Sequence, residues 1–472
     1  MNRRQFIGGA FALAGAAAWA RSVRREPSLK AGILSDTHIS PPDMFNSAEA
    51  IKKFEDTLEF FKCEKVDAVL IAGDLTNDGL VRELQAVADA WKKVFGAIDR
   101  GPEKVFVTGN HEQVYYTTAK KKGDFSNPRY ADGLYRDVRK NWKAVFGEEW
   151  SPFFIKTVKG YSFVGAHWAE WNDEKALRAF LAANKEKLAN GRPFFYAQHA
   201  HPQASCYGTW TWHQKDGGPT HKVLADYPNA VAFSGHTHYT ITDERSVWQG
   251  AFTSLGTGSL RWVSLPSGRE NGPLGNGEGR RMGNIGWGSQ GRVMSVWDDV
   301  MVFERYDFVN FEKLGDDWVV PVLRDKTSRR EFSFENRMAK ARAPEFPDGA
   351  KITVSKRTGK DPQKRDEAQV VLSFPAAVGT DSLSRPFDYE VSAEYVESDV
   401  VKPVRTKRVY PVGVQFALKR ARQSVTCVYG VSELPVAKYR FSVTPLNSLG
   451  LRGKPLYLQM KAPDSEHPGK GR

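Results

Sequence analysis

Four short apolar runs, at residues 29–35, Ala68–Ala72, 104–108 and Ala230–Ser234, are nearly uninterrupted and read as strands covered on both faces. Between the first two, Ile51, Phe54, Leu58 and Phe61 recur at helical spacing behind a cap at Asn46 or Ser47. Leu80, Leu84, Val87, Trp91 and Val94 repeat that pattern after the second run. Strands alternating with amphipathic helices predict a layered α/β domain. A further strand is expected over Tyr161–Ala166 and another apolar run over 193–197. Two runs flanking Trp297-Asp298-Asp299, at 293–296 and 300–303, predict a hairpin that closes the domain. The glycine-rich stretch 264–291 lacks periodicity and is expected to be a mobile loop. From Ala343 the texture changes to short alternating runs, such as 352–354, 369–374, 388–395 and 439–444, separated by proline and glycine turns. That interval predicts an all-β sandwich. The expected divisions are thus a first domain over 29–308, an irregular connection over 309–342, a second domain over 343–463 and a disordered polar tail over 464–472.

The strand ends carry the chemistry. Asp36-Thr37-His38, Gly73-Asp74, Gly109-Asn110-His111-Glu112, Gln198-His199-Ala200-His201-Pro202 and Gly235-His236-Thr237-His238 each follow an apolar run. One Asp-x-His is a common loop sequence. Five such clusters placed alike are expected to converge on one crevice, because ligands gather at the carboxyl ends of strands in sheets of this kind. Carboxylate, amide and imidazole donors without thiolates suit two divalent ions of Zn, Fe, Mn or Ni, and argue against a structural zinc finger. Two cations held roughly 3.5–4 Å apart need a bridging carboxylate, for which Asp74 is the natural candidate.

These residues resemble the calcineurin-like metallophosphoesterases, and the resemblance spans about residues 29–308. It implies a layered sandwich of two β-sheets flanked by helices, followed here by the all-β sandwich. It also implies one metal held by Asp36, His38, Asp74 and His238, and a second held by Asp74, Asn110, His199 and His236. The implied reaction is hydrolysis of phosphate mono- or diesters by in-line attack of a hydroxide bridging the metals. Asn110 would bind the phosphoryl group, and His111 would contact the phosphate and protonate the leaving oxygen. In the fourth motif His199, which ends the apolar run, is taken as the ligand and His201 as a neighbouring or substrate contact. Substrate contacts are also expected from His167, at a strand end, and from Trp210, Trp212, His213 and Asp216 in an aromatic insertion. The alternative is a secreted surface- or carbohydrate-binding protein that keeps the fold as a scaffold; filled ligand positions count against it.

The chain starts with Asn2-Arg3-Arg4-Gln5-Phe6-Ile7, then a run of alanine and glycine up to Ala18-Trp19-Ala20. A twin-arginine pair, a short apolar stretch and an A-x-A site predict a Tat-type signal over 1–20, giving a periplasmic or extracellular protein. Only three cysteines, Cys63, Cys206 and Cys427, occur in 472 residues, so no disulfide framework is implied. The net charge of +13 admits an anionic glycan or membrane surface as partner and leaves nucleic acid open as a substrate. From Ala343 onward, 21 Lys and Arg face 14 Asp and Glu, so much of the excess lies in the second domain. That domain has no metal-ligand cluster of its own, and a chain ending near Arg342, if it stays soluble, is expected to keep its metals and most of its turnover on a small phosphoester.

Overall fold

The computed structural model describes residues 26–40, 47–112, 138–168, 170–207, 218–266, 281–282, 288–361, 363–397, 400–411, 413–420, 423–434 and 438–461. The signal at 1–20, the tail from 464, and Trp210, Trp212, His213 and Asp216 lie outside them.

The first half is built on two facing sheets. One is centred on β1 (Leu29–Leu34), β2 (Ala68–Ala72) and β3 (Glu103–Val107), which run parallel. The other edge of β1 pairs antiparallel with Gln290–Val296, and that strand pairs with Val300–Asp307. The second sheet holds β4 (Phe153–Val158), β5 (Tyr161–Ala166), β6 (Phe194–Ala197), β7 (Ala230–Ser234), β8 (Val247–Gln249) and β9 (Thr253–Gly256). Its order is β4-β5-β6-β7-β9-β8, and β5, β6, β7 and β9 are parallel.

Alternation along each strand sorts the side chains into layers. Ala68, Leu70 and Ala72 point between the sheets, where they join Ile33, Val105, Phe163, Phe195, Phe233, Met294 and Phe303 in one core. Val69 and Ile71 point the other way, onto helices α1 (Ser47–Cys63) and α2 (Val81–Phe95), whose Phe54, Leu58, Phe61, Leu84 and Trp91 are buried against them. On the far face of the second sheet, Val164, Tyr196 and Ala232 pack with Leu177, Leu181 and Leu188. Both faces of each sheet are therefore covered, which explains why the strands read as continuous apolar runs.

Residues 309–342 are more ordered than the sequence suggests. Trp318–Pro321 adds a strand antiparallel to Val300–Asp307, and Phe334–Lys340 is a helix. Trp318 lies in the core between the sheets, so this segment belongs to the first domain and not to a connection. Four residues of strand are too few to show a period. Within the glycine-rich stretch, Leu265–Pro266 pairs with Arg281–Met282.

The second half is built from β-strands. A three-stranded antiparallel sheet (Thr353–Lys360, Asp366–Pro375, Ser424–Gly430) faces a four-stranded one (Val400–Val409, Pro386–Glu397, Lys438–Asn447, Leu456–Lys461). Val370, Leu372, Phe374, Tyr389, Val391, Tyr429, Phe441 and Val443 from both sheets form its core.

Candidate metal centre

The loops leaving β1, β2 and β3 bring Asp36, His38, Asp74, Asn110 and His111 to one end of the first sheet; those leaving β6 and β7 bring His199, His236 and His238 to the same end of the second. Asp36, His38 and His238 offer donor atoms within 4.8 Å of one another, as do Asp74, His199 and His236, and a third such group joins His38 and Asp74 to His111. His238 Nε2 lies 3.0 Å from Asp36 Oδ1, and His199 Nε2 lies 3.0 Å from Asp74 Oδ2. His38 Nε2 lies between the groups, 4.0 Å from Asp36 Oδ1 and 3.8 Å from Asp74 Oδ2.

Backbone conformation at these positions is unusual. Among the described residues ten non-glycine residues have positive φ, and five of them are Asp36 (52°), His38 (45°), Asp74 (51°), His236 (71°) and His238 (56°). Such residues carry strain that surrounding structure must offset, and they concentrate at functional sites. The glycines in the motifs allow the loops to close on one another. A Cβ on Gly109 would lie 2.0 Å from Asp74 Oδ1, and one on Gly235 would lie 2.4 Å from Asp36 Oδ2.

Hydrogen bonds orient the imidazoles. His199 Nδ1 meets Ala72 O at 2.7 Å, His111 Nδ1 meets Asn77 O at 2.6 Å, and His238 Nδ1 meets Trp262 O at 3.1 Å. A carbonyl can only accept, so each Nδ1 carries a proton and it is Nε2 that faces the cluster, the orientation usual for metal-bound histidine. Asp36 accepts from the Ser35 hydroxyl and the His236 amide, and Asp74 Oδ1 accepts the His111 amide at 3.0 Å.

Burial pushes the Asp36 and Asp74 carboxyls upward, yet the histidines beside them, His238 and His199 for Asp36 and chiefly His199 for Asp74, bring both below the usual carboxylate range. Burial opposes a charge on His199, but Asp74 and Asp36 outweigh it and push its pKa up to about 9. His38 is held well below its ordinary value by burial, with His111 and His238 adding to the effect. Two buried carboxylates thus draw positive charge toward the imidazoles beside them, and Asn110 Oδ1 is buried with no hydrogen-bond partner among the described residues. This donor set fits divalent cations.

His111 differs from the deeper groups. Its side chain keeps 27% of its accessible surface while that of Asp74 keeps 2%, and its Nε2 lies 4.0 Å from Asp74 Oδ2. It stands at the mouth of the cluster. His201 lies behind the cluster: its Nε2 reaches the Thr237 hydroxyl at 3.3 Å and its Nδ1 lies 3.3 Å from Cys206 Sγ. It is placed as a neighbour that supports the His236–His238 turn. Cys206 is fully buried, and burial pushes its thiol up to about 11.

His167 does not meet its expectation as a substrate contact. It is 1% exposed, its ring stacks on Trp150 at 3.8 Å, and its Nδ1 accepts the Thr108 amide at 3.1 Å. Burial, with smaller contributions from Arg139 and Lys156, lowers its pKa to about 3, so it is a neutral packing residue beneath the Asn110 loop.

Two tryptophans near the centre escape the sequence reading of the site, and Glu112, which stands in the third motif, gains there a role that the sequence does not show. Half-buried Trp262 covers the rings of His38 (4.7 Å) and His238 (4.4 Å), and half-buried Trp168 flanks those of His199 (5.8 Å) and His236 (5.6 Å). Nothing local in the sequence marks either tryptophan. Glu112 Oε1 accepts the Thr76 amide (2.8 Å) and hydroxyl (2.9 Å), while Oε2 accepts the Gly109 amide (2.6 Å). It ties the Asp74 loop to the Asn110 loop, and its place in the third motif is the signal that could have shown this.

Residues 29–240 match the family model described as calcineurin-like phosphoesterase. No curated protein matches the chain. Solved structures similar to it include a dimetal phosphatase from Danio rerio, at 12% identity and TM-score 0.38 over 64% of this chain and all of that one. A purple acid phosphatase from yellow lupin (Lupinus luteus) seeds aligns at 13% identity and TM-score 0.42, over 65% of this chain and 57% of that one. Vps29 of Entamoeba histolytica complexed with Zn aligns at 10% identity and TM-score 0.29, over 62% and 99%. Residues 29–240 thus carry a calcineurin-like phosphoesterase domain, which supports a metal-dependent hydrolase of phosphoric esters.

Proposed function

We propose that the protein is an exported phosphoesterase that works with two divalent cations, chosen from Mn, Fe, Zn and Ni, on phosphate mono- or diesters. The observation that carries this reading is the convergence of two donor groups, Asp36/His38/His238 and Asp74/His199/His236, at adjoining strand ends. Asp36, His38, Asp74 and His238 would hold one cation; Asp74, Asn110 through Oδ1, His199 and His236 would hold the other. When bound, such a pair supplies Lewis acidity toward phosphoryl oxygens and makes water more acidic.

The side chains divide the remaining work. His111 has its Nδ1 proton committed to Asn77 O, which leaves Nε2, the atom turned toward Asp74, to take up and release a proton. It would donate that proton to the departing oxygen. The Asn110 amide would donate to a phosphoryl oxygen as charge builds there. Replacing His111 by alanine is expected to leave the metal content intact and to slow hydrolysis of alkyl phosphates by about 10²-fold or more. An aryl phosphate, whose alcohol leaves without protonation, should lose far less. Equal losses on both substrates would remove the proton from His111 and leave it a phosphate contact.

Export rests on Arg3-Arg4 and the apolar run to Ala20. In a Tat-competent bacterium, Lys-Lys at positions 3 and 4 should strand the protein in the cytoplasm; unchanged periplasmic recovery on fractionation would overturn this assignment. The seven-stranded β domain suits a fibronectin type III-like module, and its excess of basic residues suits an anionic glycan or membrane surface.

A further inference from the structure

The turn that carries His236 and His238 continues into a wholly buried segment, Tyr239 to Ser246, that runs under the second domain. A short relay of hydrogen bonds joins the two. Gln290, fully buried at the start of its strand, accepts the Ile241 amide at Oε1 (2.8 Å) and donates from Nε2 to the Thr240 hydroxyl (3.0 Å) and to the Gln415 carbonyl (2.6 Å). Two residues on from Thr240, the Thr242 hydroxyl donates to the Val414 carbonyl at 2.9 Å. Both carbonyls belong to the β domain, and both ties act within four residues of His238.

His236 and His238 stand at positive φ; His238 Nε2 lies 3.0 Å from Asp36 Oδ1, and a ring nitrogen of His236 groups with Asp74 and His199. Strained backbone of this kind persists only where the surroundings over-determine it. The first domain alone leaves the Gln290 amide half satisfied, and a buried donor without its acceptor costs roughly 1–3 kcal/mol. Carbonyls of the β domain complete the set.

We propose that the β domain is a working part of the metal centre: by way of Gln290 and Thr242 it fixes the segment after His238 and so holds the His236–His238 pair in ligand geometry. Gln290 is a positioning residue in this scheme. The proposal rests on the reading of those two histidines as ligands.

The test compares two variants of the full-length, Mn-loaded protein. Gln290→Leu keeps the volume and removes the relay. Asp316→Ala breaks a different tie between the domains, in which the Ser382 amide donates to Asp316 Oδ2 at 3.1 Å, remote in sequence from the histidine turn. Metal retained against graded chelator, kcat, KM and Tm are measured for each. Gln290→Leu is expected to release metal at about tenfold lower chelator, in the range found for partners of metal ligands. Its kcat should fall with little change in KM, while Asp316→Ala should shift Tm alone. Native metal retention in Gln290→Leu, or equal metal loss in both variants, would overturn the proposal. If Gln290→Leu does not fold, Thr242→Val removes the second tie; the same readouts apply, early metal release supporting the proposal and native retention overturning it. A wild-type protein that binds no Mn at all would fail at the earlier step, the ligand reading itself, and the positioning role would fall with it.

Discussion

Replacing Asp74 by asparagine is expected to abolish measurable hydrolysis and to strip at least one metal from the purified protein. Asp74 is 1% exposed; its Oδ2 lies 3.0 Å from His199 Nε2 and 3.8 Å from His38 Nε2, so a single carboxylate faces both donor groups. An amide of the same shape offers one neutral oxygen and a donor that would point at a cation or at an imidazole. The backbone itself should not object, because asparagine tolerates the left-handed conformation that Asp74 adopts at φ 51°. The variant should therefore fold, and the loss should exceed the 10–100-fold range of partners outside the ligand shell. Elemental analysis together with turnover on a small phosphoester gives the answer; two retained metals with near-native turnover would exclude Asp74 as the bridge.

The second large effect is expected from removing the β domain. Judged by sequence, a chain ending near Arg342 should keep its turnover, since all the candidate ligands precede that point. The contacts reverse this expectation. Truncation takes the Gln415 carbonyl from the Gln290 amide, the Val414 carbonyl from the Thr242 hydroxyl and Ser448 from the Glu244 amide, and uncovers Leu265, which packs with Phe387, Tyr410 and Val414. A fragment 1–342 should be poorly soluble, and its soluble part should lose most of its metal and activity toward even the smallest ester. Retained metal and turnover in a soluble fragment would show that the β domain is an accessory.

The parts of this molecule that could be read from sequence are those whose information is local. An apolar run such as Ala68–Ala72 announces a covered strand, and the Gly-Asp that follows it must lie at the strand's carboxyl end. Five repetitions of that arrangement bring Asp36, Asp74, Asn110, His199 and His236 together before any coordinate is known. What could not be read depends on contacts between distant residues. Gln290 looks like any polar residue at a strand start, and its meaning lies in Gln415, 125 positions away. Trp262 and Trp168 gain their place beside the histidines from loops whose paths follow no period. His167 misleads for the opposite reason: it follows a strand as the candidate ligands do, but its ring stacks on Trp150 and its Nδ1 accepts the Thr108 amide.

The position of β1 at the middle of its sheet bears on how the chain must be made. One edge of β1 is satisfied early, by β2, but the other pairs with Gln290–Val296, and the Ser28 hydroxyl reaches the Val296 carbonyl across 268 positions of sequence. During synthesis that second edge emerges first and waits for the last strands of the domain, exposing a row of unpaired amides and carbonyls beside Ile33 and Leu34. Long-range pairing of this kind is slow to form, and open strand edges are where chains stick to one another. A nascent chain halted before residue 296 cannot close its core, so the interval between the two ends of this one pairing is when the protein most needs a chaperone.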